Sequence, residues 1–396
     1  MTDILVPTWP VAPHADAPPA TWRPTRRVTL LMPFYRETAA TLDRSARAVR
    51  DLDYPPGLLQ VLWIVADGPE GARDAELAEK ARAEAGRPDL DWSVLKVPGM
   101  SPKGAALNHA FPHARGEIVA VLDADVVPDP AQPAQAVWAL EQGFSLVQAE
   151  EVAEPGTGLT ARLRAAEDAL WHASVRGLAR TAGVHVVAGS SVYAWAATWD
   201  RVRPICEDDV EESYHWSLRL MAPGVVTGFL RAPSRVSPTE RVAPALRQRA
   251  RWARGQLRAV AVSWPELTPR GKLLGAVTVG SMAARAAMPL ALAASAVSPK
   301  ARKAAVGLAA ADALCVLGAR RSPEYRDRAD ALAWTLLVPW HLVGSVAVYR
   351  AAWEWARGDR GWHSVRDVAG DPAGPGIPDS DQDAAAAPQK GRPDDH

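Results

Sequence analysis

Cysteine is nearly missing. Of 396 residues only Cys206 and Cys315 are cysteines, too few for a disulfide framework or a cysteine zinc site. So thiol-poor a chain reads as one from a reducing compartment, with its working part facing the cytoplasm. Net charge is missing too: 45 Lys and Arg balance 45 Asp and Glu. A nucleic-acid binder needs a basic excess to meet phosphates, so no nucleic-acid partner is expected. The first residues show no basic-then-apolar signal pattern, residues 1–26 hold no apolar run of spanning length, and no internal repeat is visible. Periodicity is lacking at both ends. Residues 1–26, rich in Pro and Ala, and 368–396, a mixture of Pro, Gly, Asp and Ala, offer too little apolar surface to offset ordering entropy, and both are expected to be disordered.

Between them the text alternates. RVTLLMP (27–33), LQVLWIVADG (59–68), WSVLKV (92–97) and EIVAVLDAD (117–125) read as strands. TAATLDRSARAVRDL (38–52), GARDAELAEKARAEAG (71–86) and 103–114 carry apolar residues at three- and four-residue spacing and read as helices. Such alternation predicts an α/β domain with a mostly parallel sheet covered on both faces. Ligands in these folds sit beyond the carboxyl ends of the strands, where Asp67 and the pair Asp123 and Asp125 fall.

After residue 264 the composition shifts. Residues 275–297 hold one charge (Arg285), 304–319 one (Asp312), and 331–349 none. A helix of 19 residues spans roughly 29 Å, about one bilayer core. The last segment is the better membrane candidate and the first a fair one; the middle is short and reads as re-entrant or interfacial. Basic residues flank them (Lys300, Arg302, Lys303, Arg320, Arg321, Arg326, Arg328), so the positive-inside rule fixes no orientation. The alternative is an Ala-rich soluble helical domain. The expected organisation is a catalytic domain over 27–264 and a membrane-associated region of two or three helices over 270–356.

Asp123-Ala124-Asp125 sets two carboxylates at a strand end, a pair suited to a hard cation shared with substrate phosphates, Mg²⁺ or Mn²⁺. Its surroundings sharpen this. Lys103, the ALN at 106–108, GEIV and LDAD followed by Pro128 resemble the donor-site signature of family 2 glycosyltransferases. LLMPFYRE (30–37) looks like that family's first strand, with Tyr35 and Glu37 toward the nucleotide. IVADG (64–68) looks like its second, although Ala66 replaces the first of two usual aspartates and leaves Asp67 for the base. The resemblance implies a GT-A fold, a metal-bound nucleotide diphosphate sugar and inversion at the anomeric carbon.

ICEDDVEESYHWSLRL (205–220) resembles the family's acidic motif, which supplies the base that takes the acceptor hydroxyl's proton. Alignment on Glu-Asp favours Asp208, with Asp209 the alternative; Glu207 and Glu211 fit an acidic helix start equally well. Gln248, Arg251 and Trp252 form Q-x-x-R-W, and on a helix they share one face. That face offers an amide, a guanidinium suited to diphosphate and an indole suited to a sugar. The motif resembles the membrane-associated branch that includes cellulose, chitin and hyaluronan synthases; WHSVR (362–366) is a weaker echo. Gly189-Ser190-Ser191 reads as a turn lining the acceptor side. His172, His185 and His215 lack ligand spacing and read as core or surface residues, and Trp171 and Trp195 as core. The resemblance implies transfer from a UDP-linked donor to a lipid or other membrane-associated glycan acceptor. Without an N-terminal apolar run, transfer of one or a few sugars is expected ahead of processive polymer synthesis. A catalytically silent membrane scaffold and a soluble nucleotidyltransferase are the readings from other classes.

Overall fold

The computed structural model describes residues 14–69, 71–98, 103–207, 211–237 and 240–358. In chain order, β1 (Val28–Pro33), α1 (Ala39–Arg50), β2 (Leu59–Ala66), α2 (Ala72–Glu84), β3 (Asp91–Val97), α3 (Lys103–Ala110), β4 (Ile118–Val121), β5 (Val126–Pro128), α4 (Gln132–Glu141) and β6 (Leu146–Ala153) come first. Then follow α5 (Leu159–Ala182), β7 (Val192–Trp195), α6 (Ala196–Trp199), α7 (Glu212–Leu220), β8 (Thr227–Val236) and α8 (Val242–Ser263). Three long helices close the described chain: α9 (Pro269–Ala294), α10 (Pro299–Arg321) and α11 (Ala331–Ala356).

The strands form one sheet ordered β3-β2-β1-β4-β7-β6-β8-β5. The β3-β2-β1-β4 half is parallel throughout. β7 then enters antiparallel between β4 and β6, while β6 and β8 are again parallel. Every strand except β5 and β7 therefore ends at the same edge. β2 is buried over its whole length, as a strand covered on both faces must be. The alternation of side chains divides it: Val61, Trp63 and Val65 join one apolar cluster with Leu30, Met32, Leu42 and Val49, and Leu62, Ile64 and Ala66 join another with Leu31, Leu107, Trp199 and Trp216.

The four strands and three helices read from the sequence over 27–125 are present, with shifted ends. The helix expected over 103–114 stops at Ala110, where Phe111–His113 tighten into a 3₁₀ turn because Pro112 donates no amide and cannot continue the helix. The strand expected over 117–125 ends at Val121, leaving Asp123 and Asp125 on a turn past the strand. Residues 14–26, within the segment expected to be disordered, form no helix or strand but are fastened to the body. The Ala15 amide donates to Phe229 O at 2.7 Å, and Trp22 donates from Nε1 to Glu141 Oε2 at 3.1 Å while its ring meets Trp138 edge-on. The tail expected over 368–396 and the WHSVR echo lie outside the described residues.

α9 and α11 are long and apolar enough to cross a membrane by length and composition, with 11% and 44% of their most apolar stretches buried inside the protein. α5 joins the helical region to the sheet: Leu163, Ala166, Ala169, Leu170 and Ala173 share a cluster with Val316 and Ala319 of α10 and Trp334, Leu337 and Trp340 of α11.

Candidate active site

The sheet edge where the parallel strands end gathers the acids. Asp67 follows β2 and is exposed; its amide donates to Val97 O and its Oδ1 accepts the Gly68 amide. Gly71 starts the next helix against this strand end, where an added Cβ would stand 1.8 Å from Ala66 O. Past β1, Arg36 takes positive φ (54°), and its amide donates to buried Asp74 of α2 at 2.6 Å. That bond holds the Tyr35–Glu37 corner, with Glu37 buried.

Lys103 opens α3 and is the hub. Its Nζ donates to Asp123 Oδ1 at 2.6 Å and to Gly189 O at 2.7 Å, and pairs with Glu212 Oε1 at 3.2 Å. Burial alone would lower its pKa, but Asp123 and Glu212 overcome this and hold the ammonium charged well above its ordinary range. Asp123 is fixed from behind by Ser190, whose Oγ accepts the Asp123 amide at 2.8 Å. The Gly189–Ser191 turn thus lies directly against the acidic pair. Asp125 is pushed up to about 6 by burial and by Asp123. Glu151, near the end of β6, is pushed up to about 8 by burial and then by Asp123, Asp125 and Asp168, against the opposing pull of Arg164. The β6 register with β8 shifts between Ala149 and Glu151, and neighbouring Glu150 is spent on Arg176, Arg328 and Tyr325. A bulge beside a site re-aims side chains in this manner.

Opposite stand Glu211 and the Q-x-x-R-W helix. Glu211 is pushed up to about 7 by burial and Glu212, with Arg251 and the Ser213 hydroxyl pulling it back; Ser213 Oγ donates to Glu211 Oε1 at 2.6 Å. Arg164 of α5 lies against two of the three motif residues. Gln248 Oε1 accepts from Arg164 Nη1 at 3.1 Å, and the Arg164 guanidinium lies 5.0 Å from the centre of the Trp252 ring, while Arg251 acts on Glu211. Arg164 of α5, itself paired with Asp168 at 2.7 Å, thus fills the shared face and links the motif to Glu151.

Asp208 and Asp209 lie outside the described residues. Their approach is well fixed. Asn108 of α3 accepts the Ile205 amide at 2.8 Å and donates through Nδ2 to Ile205 O at 2.9 Å and Glu207 Oε1 at 2.7 Å. Gly104 permits this, since a Cβ there would meet Cys206 O at 2.3 Å. Glu211 caps α7 rather than starting it, and Glu212 occupies its first turn. His172 is core, as read: its ring meets the Glu151 backbone. Trp171, read as core, is 39% exposed, because α5 turns it away from the cluster that its neighbours Leu170 and Ala173 enter.

Glu151, Glu212 and Arg164 join the site beyond the residues predicted from sequence, and Asn108, predicted only as part of the donor-site signature, turns out to fix the 205–207 segment. The two adjacent acids of AEEVAE (149–154) in an apolar strand were a signal for Glu151. Arg164 is one arginine among several on α5 and had none. Among the described residues no cluster of three or more His, Cys, Asp or Glu is arranged to hold a metal ion. Asp123 and Asp125 are paired hard oxygen donors past β4, and the repulsion from Asp123 that adds to burial in raising Asp125 is what a cation would relieve. The donor set fits Mg²⁺ or Mn²⁺ whose other positions are taken by phosphate and water.

The sequence model for glycosyl transferase family 2 matches residues 29–179. That for glycosyl transferase family group 2 matches residues 118–338, more than half of the chain. The chain belongs to the family 2 glycosyltransferases. Curated relatives include the UDP-forming cellulose synthase catalytic subunit of Komagataeibacter sucrofermentans, 24% identical over 256 residues, which are 63% of this chain and 33% of the relative. The cellulose synthase 1 catalytic subunit of Komagataeibacter xylinus is 25% identical over 248 residues, 61% of this chain and 32% of the relative. The chain thus spans about a third of the length of these relatives. Among solved structures, a mannosyltransferase from Pyrobaculum calidifontis in complex with GDP-Man and Mn²⁺ superposes with a TM-score of 0.56 at 21% identity, covering 86% of this chain and 90% of that one. The fold of this family member is accordingly GT-A-like: an α/β domain with a mostly parallel sheet followed by C-terminal helices.

Proposed function

We propose that the chain is an inverting, metal-dependent glycosyltransferase moving a sugar from a nucleotide diphosphate donor to a lipid or glycan acceptor at a membrane. The catalytic part is 27–264, facing the cytoplasm, and 270–356 is the membrane-associated part. The observation that carries the reading is the convergence of Lys103, Asp123, Asp125 and Glu151 at the carboxyl edge of the sheet, in a chain of this family. Asp67 and Glu37 flank the space for the base and ribose. Asp123 and Asp125 would hold Mg²⁺ or Mn²⁺, which when bound neutralises charge on the departing diphosphate. Lys103, already charged and positioned by Asp123, adds a cation beside the phosphates. The acceptor oxygen bonds to the anomeric carbon as the bond from that carbon to the diphosphate breaks, and its proton passes to Asp208 or Asp209. Gln248, Arg251 and Trp252, set by Arg164, close the acceptor side.

The relatives named UDP-forming support a UDP-linked donor, and the GDP-Man complex makes GDP-sugars the comparison to include. The deciding experiment is nucleoside diphosphate release from UDP- and GDP-sugars by detergent-solubilised protein with membrane lipid extract, with and without Mn²⁺ or Mg²⁺. One donor is expected to turn over, dependent on metal and lost in Asp125→Ala. Failure of every donor would leave the silent scaffold. Similarity to cellulose synthases favours a second reading, processive synthesis, which product length in the same assay separates from single transfer.

A further inference from the structure

The proposed transfer needs a carboxylate that can take a proton, yet most acids near the sheet edge are already committed. Asp123, proposed with Asp125 to hold the metal, pairs with Lys103, and Glu212 pairs with the same ammonium. Asp168 is paired with Arg164, and Glu167 with Arg249. Glu150 is held by Arg176, Arg328 and Tyr325. Glu211 is differently placed.

Glu211 is the N-cap residue of α7, a position whose side-chain oxygen commonly accepts an amide of the first turn. Its side chain makes no such bond; the Glu211 carbonyl oxygen serves the turn instead, accepting the Tyr214 amide at 3.2 Å. Capping therefore does not account for the acid. Buried Ser213 turns the carboxylate, its Oγ donating to Oε1 at 2.6 Å. That bond engages one oxygen and leaves Oε2 to receive a proton.

The setting suits a base. Ser213 Oγ and Lys103 Nζ both lie against the Gly189 turn: a Cβ added at Gly189 would stand 3.6 Å from the first and 3.8 Å from the second. Lys103 in turn holds Asp123 at 2.6 Å. A run of contacts thus joins the Glu211 carboxylate to the acid pair proposed for the metal diphosphate. Arg251 of the Q-x-x-R-W helix acts on the same carboxylate, as does Lys103. Half-buried Glu211 is therefore in the field of one cation on the donor side and one on the acceptor side. Burial, then Glu212, raise its pKa to about 7 against Arg251, Ser213 and Lys103, close to where a general base works best.

We infer that Glu211 is the base of the transfer, taking the acceptor hydroxyl's proton on Oε2 while Ser213 aims the carboxylate. The acceptor oxygen bonds to the anomeric carbon as the bond to the diphosphate breaks and its electron pair leaves with the diphosphate. The O–H proton passes to Glu211, which returns it to water. This inference rests on the proposed transfer reaction and changes only the residue that receives the proton, naming Glu211 ahead of Asp208 and Asp209.

The test compares Glu211→Gln, Asp208→Asn, Asp209→Asn and Glu151→Gln, each in the full chain, by nucleoside diphosphate release from the UDP- and GDP-sugars with membrane lipid extract. Glu211→Gln is expected to show the largest loss of the four, lowering kcat by about 10²–10⁴-fold with little change in donor KM. Sodium formate is expected to restore turnover several-fold in Glu211→Ala, and not in Asp208→Ala or Asp209→Ala. A larger loss of kcat in any of the other three, or formate rescue at 208 or 209 instead, would overturn the inference. The parent chain, read beside Asp125→Ala, keeps the two readings apart. An active parent with an equally active Glu211→Gln removes this base and leaves the transferase standing, whereas a parent silent towards every donor removes both.

Discussion

Asn108 spends all of its amide on one short segment. Two of its bonds go to the backbone of Ile205 and one to Glu207, so α3, which carries Lys103, also holds the chain at residues 205–207, just before the proposed base. Asn108→Ala leaves the Ile205 amide and carbonyl without these partners, about 1–3 kcal/mol where such groups are buried. Misplacing a base by an ångström costs on the order of 10²-fold in rate. Asn108→Ala is therefore expected to lower kcat by roughly 10- to 100-fold with little change in donor KM, read from initial rates of nucleoside diphosphate release. Gly104→Ala strikes the same joint from the other side, since its Cβ would stand 2.3 Å from Cys206 O; a loss of about 1–3 kcal/mol in denaturant unfolding is expected. Glu211 gives a pH signature. Burial and Glu212 raise its pKa to about 7 from 4.5, so between those values the native state binds more proton than the unfolded chain. Its contribution to stability is present at low pH and lost as pH rises through 7. Between pH 5 and 8 the urea midpoint is expected to fall, and to fall less in Glu211→Gln.

At the scale of elements, legibility followed the reach of the signal. β1 to β4 and the helices between them were readable because each declares itself by local periodicity, and Asp67, Asp123 and Asp125 because strand ends are where such folds place ligands. β6, β7 and β8 went unread. β7 has four residues, and the β6 run ends in acids whose placement depends on a register shift with β8, a strand distant in sequence. The adjacent acids at 150 and 151 were visible in the sequence, but which of them turns to the site was hidden for that reason. The Q-x-x-R-W face was legible as a face, but its neighbour was not, because Arg164 arrives from another helix. Arg164 holds Gln248, covers Trp252 and steadies Glu151. Arg164→Met is expected to lower kcat/KM by about 10²-fold, with Arg164→Lys no adequate replacement because an ammonium lacks the planar fork that serves Gln248 and Asp168 together. Equal rates for the two variants and the parent would show that α5 does not support the site.

For the whole molecule, the question is whether the helical region is an appendage or part of the catalytic body. Composition speaks for an appendage, since 331–349 has no charge; the contacts speak for one body. The Arg254–Glu354 pair decides between them, because both side chains are about 95% buried and join α8, the helix of Gln248 and Arg251, to the far end of α11. Breaking a buried pair on one side costs up to about 3–5 kcal/mol, whereas replacing both partners by apolar residues of similar volume is near neutral; Arg350, which also pairs with Glu354 at 2.6 Å, is partly exposed and turns to water in both variants. Glu354→Leu alone is therefore expected to lower the unfolding midpoint in detergent and, by loosening α8, to slow donor turnover. Arg254→Met combined with Glu354→Leu should restore both. An appendage would behave otherwise: the single substitution would leave turnover untouched, and the helices would melt apart from the sheet domain. Recovery in the double variant would mean that the helical region and the sheet domain are held by one continuous packing.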